Sequence, residues 1–580
     1  MSEKKLYARK ATGLVREISI MTSVIICLCN TIGLGWQKRV FQFTGISPIP
    51  DNYWVAGIPP TVMAFLIGGI IILLSVFAFS ILVAAMPRSG GGYVVISRIL
   101  NPFAGFVGSW MEFLSLSWAM GVACVVVFEG SFGVFGPIVG ISYGISDVYL
   151  WAGGLVLLII FTAVAAFGVR MAGLLLQILF WIPMILTFYV VYLLAQSVAN
   201  PTALMAGITG LAAAHGLPGV TASTYMTQAL AQGMDKVGST STYWGCVSTA
   251  MIGAYYAYTC YAASSFVAGE VKEANKNMPR SLLIASVIII IMYVTNSALS
   301  AYASAAIDVT TLPNGHVYSF FDAYAFLSWG GKWGASLSAA GVPTIRVWTT
   351  VIAAMTGIGM NLSSLNWLLF IFGVTWILND LPPYILTCSR VLFAMAFDRV
   401  LPGPLAAVNE RFHSPVNATI VTGIFGLLGV FSESGVFSTG GSWSSTGPVG
   451  SLLNSIFSVG VASVDLFDAI FFTLFAFCLV ILPWRAPRIY EGSPIKIGGK
   501  VGLAGFGVAG FVANLVLDWM ILTAPQGSYN LLAPSSDNWF ALGFGILMGL
   551  IGVCIFLYYK YGPSGKGVDY TTIYSEIPPE

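Results

Sequence analysis

Two short segments hold the residues whose types and spacing could bind a small charged molecule. One is Cys29-Asn30-Thr31-Ile32-Gly33-Leu34-Gly35-Trp36, and the other runs from Tyr255 through Tyr256-Ala257-Tyr258-Thr259-Cys260-Tyr261-Ala262 to Ser265. Both sit inside apolar stretches. Glycine weakens a helix by about 1 kcal/mol relative to alanine, so the Gly33/Gly35 pair marks a break point. A helix broken in an apolar setting frees N–H and C=O groups that protein or a wet cavity must satisfy. A zwitterion could do so, with its carboxylate on free N–H groups at a half-helix start and its ammonium on free carbonyls at a half-helix end. The competing reading of the glycines is close helix packing. The second segment has no glycine, and its break rests on its position in the chain.

Three carboxylates lie within apolar runs: Glu112 in Ser109-Trp110-Met111-Glu112-Phe113, Asp380 in Leu378-Asn379-Asp380-Leu381-Pro382-Pro383, and Asp518 in Leu515-Val516-Leu517-Asp518-Trp519. An ionisable group in a membrane segment is costly and points to function by default. A structural hydrogen bond to a neighbouring helix is the alternative. It is the preferred reading for Asp518, while for Asp380 the two readings stand level.

These residues need an apolar scaffold, and the composition supplies one. Of 580 residues 57% are hydrophobic and 8% charged, against about 25% charged in a soluble domain. The bilayer must be the main solvent. Net charge is +2, so no nucleic-acid footprint is present. The eight cysteines lie in or beside apolar runs with no CxxC spacing, and read as small buried hydrophobes. The basic N-terminus leads into a first membrane helix, with no cleavage site of a signal peptide.

A spanning helix takes about 20 apolar residues. Twelve stretches qualify: 18–43, 61–85, 102–128, 149–168, 171–195, 247–268, 282–304, 362–390, 416–432, 466–483, 501–523 and 539–559. The predicted fold is an all-α polytopic membrane protein. With the N-terminus inside, every Lys and Arg except Lys38, Arg39, Lys236, Lys332 and Arg346 falls on the inner side, as the positive-inside bias requires. Both termini are then cytoplasmic, and the plasma membrane is the expected location. The organisation is an N-terminal tail (1–17), a first five-helix unit (18–196), an outer loop (197–246), a second five-helix unit (247–483) and an inner loop (484–500). Two further helices (501–559) and a C-terminal tail (560–580) complete it. Within 305–361, Val347–Met360 reads as an outer-loop helix, with a further span as the alternative. The Ser/Gly-rich segment around Ser438–Ser445 is predicted to be mobile. The two candidate segments fall in spans one and six, matching places in two five-helix units of opposite orientation. Broken helices in such places are the best pointer to a midplane site.

In ordered set, several local patterns resemble the amino acid–polyamine–organocation transporters. They are Met86-Pro87-Arg88-Ser89-Gly90-Gly91-Gly92-Tyr93, then Ala268-Gly269-Glu270-Val271-Lys272 with Asn277-Met278-Pro279-Arg280. Ser389-Arg390-Val391-Leu392, Leu401-Pro402 and Ser414-Pro415-Val416-Asn417-Ala418 follow. The resemblance implies a five-plus-five inverted-repeat fold of the leucine-transporter type. It also implies substrate bound between helices one and six, and secondary transport of amino acids or related amines by proton or sodium symport or by exchange. Carried over residue by residue, it assigns Ile32, Gly33, Leu34 and Gly35 to the carboxylate end. The carbonyls of Tyr256, Ala257 and Thr259 fall at the ammonium, with Tyr258 as lid. Leu34, Cys260 and Ala262 depart from the family's hydroxyl, glycine and acidic residues. Loss of that acid argues against a cationic polyamine. The resemblance further places a sodium site on the eighth helix, where Thr375, Asn379 and Asp380 offer the oxygen donors a hard cation takes. Glu112 and Asp380 are the proton-carrying alternatives. The family's fifth-helix lysine has no counterpart in 171–195.

No cofactor is expected beyond Na+ or H+ as coupling ion, and no metal site is predicted with certainty. The partners are the small-molecule substrate and the lipid bilayer, with oligomeric state left open. An enzyme is not expected: no HExxH or GxxxxGK[ST] motif occurs, and His215, His316 and His413 fall in loops. The alternative function is an ion channel or a proton-translocating subunit, which needs a relay of intramembrane Lys, Glu and His.

Overall fold

A computed structural model describes residues 13–141, 145–237, 242–445, 447–523, 531–532, 534–565 and 568–575. The tail 1–12, the loop residues 524–530 and the end 576–580, on which parts of the expected tails and loops fall, lie outside the described residues. Among the described residues helices dominate, with one short antiparallel strand pair, Thr310–Thr311 with Val317–Tyr318. Eleven helices among the described residues are long and apolar enough to cross a membrane. In chain order they are α1 (Ile20–Ile46), α2 (Pro60–Ala85), α3 (Pro102–Ile138), α4 (Asp147–Ala166) and α5 (Val169–Ala199). After α6, described below, come α7 (Ala274–Ala305), α8 (Ser363–Phe397), α9 (Val416–Ser434), α10 (Val461–Arg485), α11 (Gly499–Thr523) and α12 (Ser536–Tyr561). Large apolar side chains such as Ile159, Phe188, Ile291, Val512 and Leu550 are exposed on α4, α5, α7, α11 and α12, where the bilayer is their solvent.

The sixth of the twelve expected spans is not among the eleven. Its helix, α6, is only Tyr243–Tyr258, and two 3₁₀ turns, Ala263–Phe266 and Ala268–Glu270, carry the chain onward. The expected break in α1 takes a different form. Helix Ile20–Leu34 passes into a π-helical turn, Gly35–Arg39, and then into Val40–Ile46. The helix widens without unwinding. Helix α8 is interrupted at Asn379 and Asp380, between Asn366–Leu378 and Leu381–Phe397. Pro382 and Pro383 lack the N–H groups that would continue it, and suit the first turn of a new helix.

Packing partners come in swapped pairs. α1 packs on α7 and α6 on α2; α3 packs on α10 and α8 on α5; α3 also packs on α9 and α8 on α4. That is the relation two five-helix units would have if helix n answers to helix n+5. At the α3–α9 contact, a Cβ added at Gly121 or Gly429 would strike the partner's backbone, so small residues set the approach.

The stretches expected as outer loops are largely helical, with Pro201–Ala214, Ala222–Ala231, Phe320–Trp329 and Thr349–Gly359 among them. The last is too short to span and is buried from Thr349 to Gly357. Thr350 donates to Gln37 of α1, so this helix is part of the interior. The segment predicted to be mobile is tied down. Ser442 donates its hydroxyl to Asp147 at 2.6 Å, and Trp443 packs on Trp151 with ring centroids 4.9 Å apart.

On the face that carries Ile18, here the N-terminal face, the bundle is closed by charge and backbone together. Arg390 donates Nε and Nη2 to the two oxygens of Glu270 at 2.8 and 3.0 Å, and both side chains are fully buried. Arg98 pairs with Asp398 beside it. The backbone N–H of Ile18 donates to Glu270 O at 2.9 Å, that of Lys272 to Ile18 O at 3.0 Å, and that of Gly90 to Phe266 O at 2.8 Å. Gly90 and Gly91 have φ of +85° and +39°, and a Cβ at Gly91 would stand 2.8 Å from Ser265 O. The glycine run after α2 is therefore a condition of this closure. Removing one partner of a buried ion pair costs about 3–5 kcal/mol, whereas replacing both with apolar groups is close to neutral. Arg390→Met alone should lower thermal stability in detergent by about that amount. Arg390→Met with Glu270→Leu should recover most of it, and equal losses in the single and double variants would show that the pair carries no such energy.

Candidate functional site

Above this closure lies a cavity of about 390 Å³, within the usual range for a small-molecule site. α1 lends it Asn30, Thr31, Gly35, Lys38 and Arg39, and α6 with the turn that follows it lends Tyr256, Thr259 and Cys260. Ser115 and Trp118 of α3, Asp380 and Tyr384 of α8, Glu433 of α9 and Asp468 of α10 complete the wall.

The end of α6 shapes it. Thr259 leaves the helix at ψ 159°, and Cys260 follows at φ +64°. A left-handed non-glycine residue costs about 1–2 kcal/mol, and such strain gathers at functional sites. Glycine is the residue the sequence resemblance places here, and the backbone conformation gives the reason. The Cys260 thiol donates to Tyr384 Oη at 3.7 Å.

The expected glycines have packing roles. A Cβ at Gly33 would strike the Asp380 carboxylate, and one at Gly35 would stand 2.8 Å from Ala257 O. The Tyr293 hydroxyl lies between Thr31 O at 2.6 Å and Ala257 O at 2.8 Å. Its single proton is shared between the carbonyls beside the π turn and at the end of α6. Tyr256 O accepts from the Thr259 hydroxyl at 3.1 Å. Of the expected substrate residues, Gly35, Tyr256 and Thr259 line the cavity, while Ile32 and Gly33 lie behind it and Ala257 is turned to Tyr293. The side chain of Leu34 lies outside the described residues. Tyr258, expected as the lid, has its ring buried, and its hydroxyl donates to Phe65 O of α2 at 2.9 Å. Tyr256 takes the wall position, with the Arg39 guanidinium 5.2 Å from its ring centroid.

The expected ion residues divide as well. Asp380 lines the cavity against Gly33. Asn379 is fully buried at the α8 interruption, with neither amide atom hydrogen bonded among the described residues. Thr375 spends its hydroxyl on Ile371 O of its own helix at 2.6 Å and faces away from the cavity. Glu112 is 1% exposed and lies behind the wall, against Asp468. Asp518 accepts from Thr473 at 2.7 Å, the structural role preferred for it. Asp468 lies at the edge of the expected span 466–483, whereas the helix itself begins at Val461 and places it further inside. The Val464-Asp465-Leu466-Phe467-Asp468 spacing, carried one turn earlier, is the signal that finds it. The departure at Ala262 also loses its force, since Asp380 and Asp468 bring acids from α8 and α10.

Charge is divided along the cavity. Asp380 and Asp468 form its floor toward the N-terminal face. Lys38, Arg39, Arg346, Glu129 and Glu433 gather at the other end. Arg346 pairs with Glu129 at 2.7 Å, and the Lys38 ammonium lies 5.2 Å from the Trp329 ring centroid.

A family model for amino acid permeases matches residues 18–551. The chain belongs to that family. An amino acid permease is a membrane transporter and not an enzyme, so the cavity is read as a place where cargo binds. The match runs through every helix from α1 to most of α12, and so takes in every wall of the cavity.

Replacing a hydrogen-bonding hydroxyl that serves buried carbonyls costs about 1–3 kcal/mol. Tyr293→Phe should lower the thermal stability of the purified permease by that amount and speed amide hydrogen exchange at the end of α6. Unchanged exchange there would show that another group holds the break.

Proposed function

We propose that this permease carries zwitterionic amino acids by alternating access, with the cargo held in the cavity between α1, α3, α6, α8 and α10. One observation carries the reading. The Asn30 amide is 4% exposed and lines the cavity, and neither its nitrogen nor its oxygen has a hydrogen-bond partner among the described residues. A buried amide left this way costs about 1–3 kcal/mol. A zwitterion supplies both an acceptor and a donor to it.

The division of charge sets the orientation. The cargo ammonium points to Asp380 and Asp468, and its carboxylate to Lys38 and Arg39. This replaces the orientation in which α1 N–H groups take the carboxylate, because a π turn keeps that backbone within the helix. The state described is closed toward the N-terminal face by Glu270–Arg390. Release there requires the pair to part while the other end closes. A cavity that stops against buried ion pairs favours a carrier over the channel alternative. The permease works in the plasma membrane with its termini cytoplasmic, an orientation supported by the distribution of Lys and Arg. Cargo movement is proton- or sodium-coupled or an exchange.

Asn30→Leu tests the site because it keeps the volume and removes the amide. Uptake of an equimolar pool of radiolabelled L-amino acids into proteoliposomes should fall about 10–100-fold, the equivalent of about 1–3 kcal/mol. Thermal stability should hold or rise, since an unsatisfied polar group is gone. Full uptake by the variant would remove Asn30 from the site.

A further inference from the structure

We propose that Asp51, Asp322 and Ser300 bind a divalent hard cation, Ca2+ by the chemistry of its donors, at the end of the bundle opposite Ile18. The site is separate from the transport cavity and does not rest on the reading of its cargo.

Four segments meet there. A small cavity of about 50 Å³ lies among the end of α1, the loop into α2, the last turns of α7 and the outer helix Phe320–Trp329. Asp51, Asp322, Ser300, Ser304 and Thr44 all line it. Backbone contacts hold the two carboxylates in place. Asn52 donates Nδ2 to Gly315 O at 3.0 Å and accepts from the Val317 N–H at 3.1 Å. These bonds fix the 3₁₀ turn Asp51–Tyr53 beside the strand pair. Ser319 follows that pair and begins the outer helix. Its N–H and its hydroxyl both donate to Oδ2 of Asp322, at 2.8 and 3.0 Å. The Ser319 and Ser304 hydroxyls share a hydrogen bond of 2.6 Å, which ties the outer helix to α7.

What this arrangement leaves over points to a ligand. Ser297, Ser300 and Ser304 recur at helical spacing on the α7 face that lines the cavity. Ser297 donates to Val294 O at 3.0 Å, and Ser304 is bonded to Ser319. Ser300 is 2% exposed, and its Oγ has no hydrogen-bond partner among the described residues. Asp51 Oδ2 is likewise shielded from solvent and without a partner among them. Buried polar atoms are normally satisfied, and an exception calls for an explanation such as an ion. Burial pushes the Asp51 carboxyl up to about 6, and burial and then Asp51 itself push that of Asp322 up. Among the described residues no Lys, Arg or His lines the cavity to offset the two acids.

The donors select the ion. Two carboxylates and a hydroxyl are hard oxygen ligands. Among the described residues no three of His, Cys, Asp and Glu converge, so the nitrogen and sulfur set of a softer transition metal is missing. A monovalent ion would leave one of the two negative charges buried and uncompensated. Ca2+ takes about six to eight oxygens in irregular geometry and accepts bidentate carboxylates, whereas Mg2+ demands a near-ideal octahedron. Beside the ion there is room for about one water, whose share of liquid volume is about 30 Å³. A bound ion joins the loop after α1 to α7 and to the outer helix, and that helix packs on the Val40–Ile46 segment of α1. It therefore clamps the outer cap onto the helix that lines the transport cavity.

Purified permease in detergent, stripped with EGTA and kept in potassium buffer without amino acids, tests the site by 45Ca2+ equilibrium dialysis and thermal melting. Wild-type protein should bind about one Ca2+ per chain with saturation, and its melting temperature should rise with Ca2+ concentration as binding to the folded state requires. Asp51→Asn and Ser300→Ala should each weaken Ca2+ binding, Asp51→Asn by about tenfold or more, because ligand charge tunes such affinities. In EGTA both variants should melt no lower than wild type, since one loses a like charge and the other an unsatisfied hydroxyl. Absence of saturable binding by wild-type protein, or undiminished binding in both variants, would overturn the site and leave water as the occupant. Equal stabilisation by Na+ at the same concentration would overturn the choice of a divalent ion.

Discussion

The Tyr293 hydroxyl between the carbonyls of Thr31 and Ala257 ties together the two places where helical backbone is disturbed inside the bundle. Freed polar groups in an apolar interior must find partners, and this constraint decides how α1 and α6 meet. α6 stops at Tyr258, and the chain turns through a left-handed Cys260. α1 widens into a π turn at the same level, and π turns are frequent at functional sites. Gly33 and Gly35 allow Asp380, Ala257 and Tyr293 to approach. A cavity remains where regular helices would have filled the space.

Around that junction charge is sorted. The floor is acidic, the far end is mixed but holds the cations, and the N-terminal face is locked by Glu270–Arg390 and Arg98–Asp398. The lock unites two separated motifs: Glu270 belongs to the segment after α6, and Arg390 to the end of α8. Such a pair contributes little net stability once its desolvation is counted. Its value is that it distinguishes a closed face from an open one, because parting it leaves two buried charges to be solvated. Gly90 and Gly91 serve the same closure through the backbone.

Much of the scaffold could be read from the residues. Apolar runs of about 20 residues located the long helices because lipid leaves no other way to satisfy a spanning backbone. Hydropathy could not separate Tyr243–Tyr258 from the turns that follow, since Ala262–Phe266 is as apolar as a helix. Nor could it tell that Thr349–Gly359 is interior, because a short apolar helix reads alike on the outside of a bundle and within it. Gly33 and Gly35 were legible as a special place, but local chemistry did not choose between unwinding and close approach. The choice came from Tyr293 and Asp380, far away in sequence. Glu112 was legible as a buried charge, whereas its neighbourhood with Asp468 comes only from the packing of α3 on α10.

Cys260 offers the most direct test of the central claim, that the cavity beside the end of α6 holds the cargo and faces away from the N-terminal side. Like every cysteine except Cys554 it is buried, but of the buried cysteines it is the one that lines the cavity, and a Cys554→Ser background leaves it the one reactive candidate. In proteoliposomes of known orientation, a membrane-impermeant methanethiosulfonate should label Cys260 from the face opposite Ile18, and the amino acids that are transported should slow that labelling. Labelling only from the N-terminal face, or at a rate indifferent to every amino acid, would contradict the account.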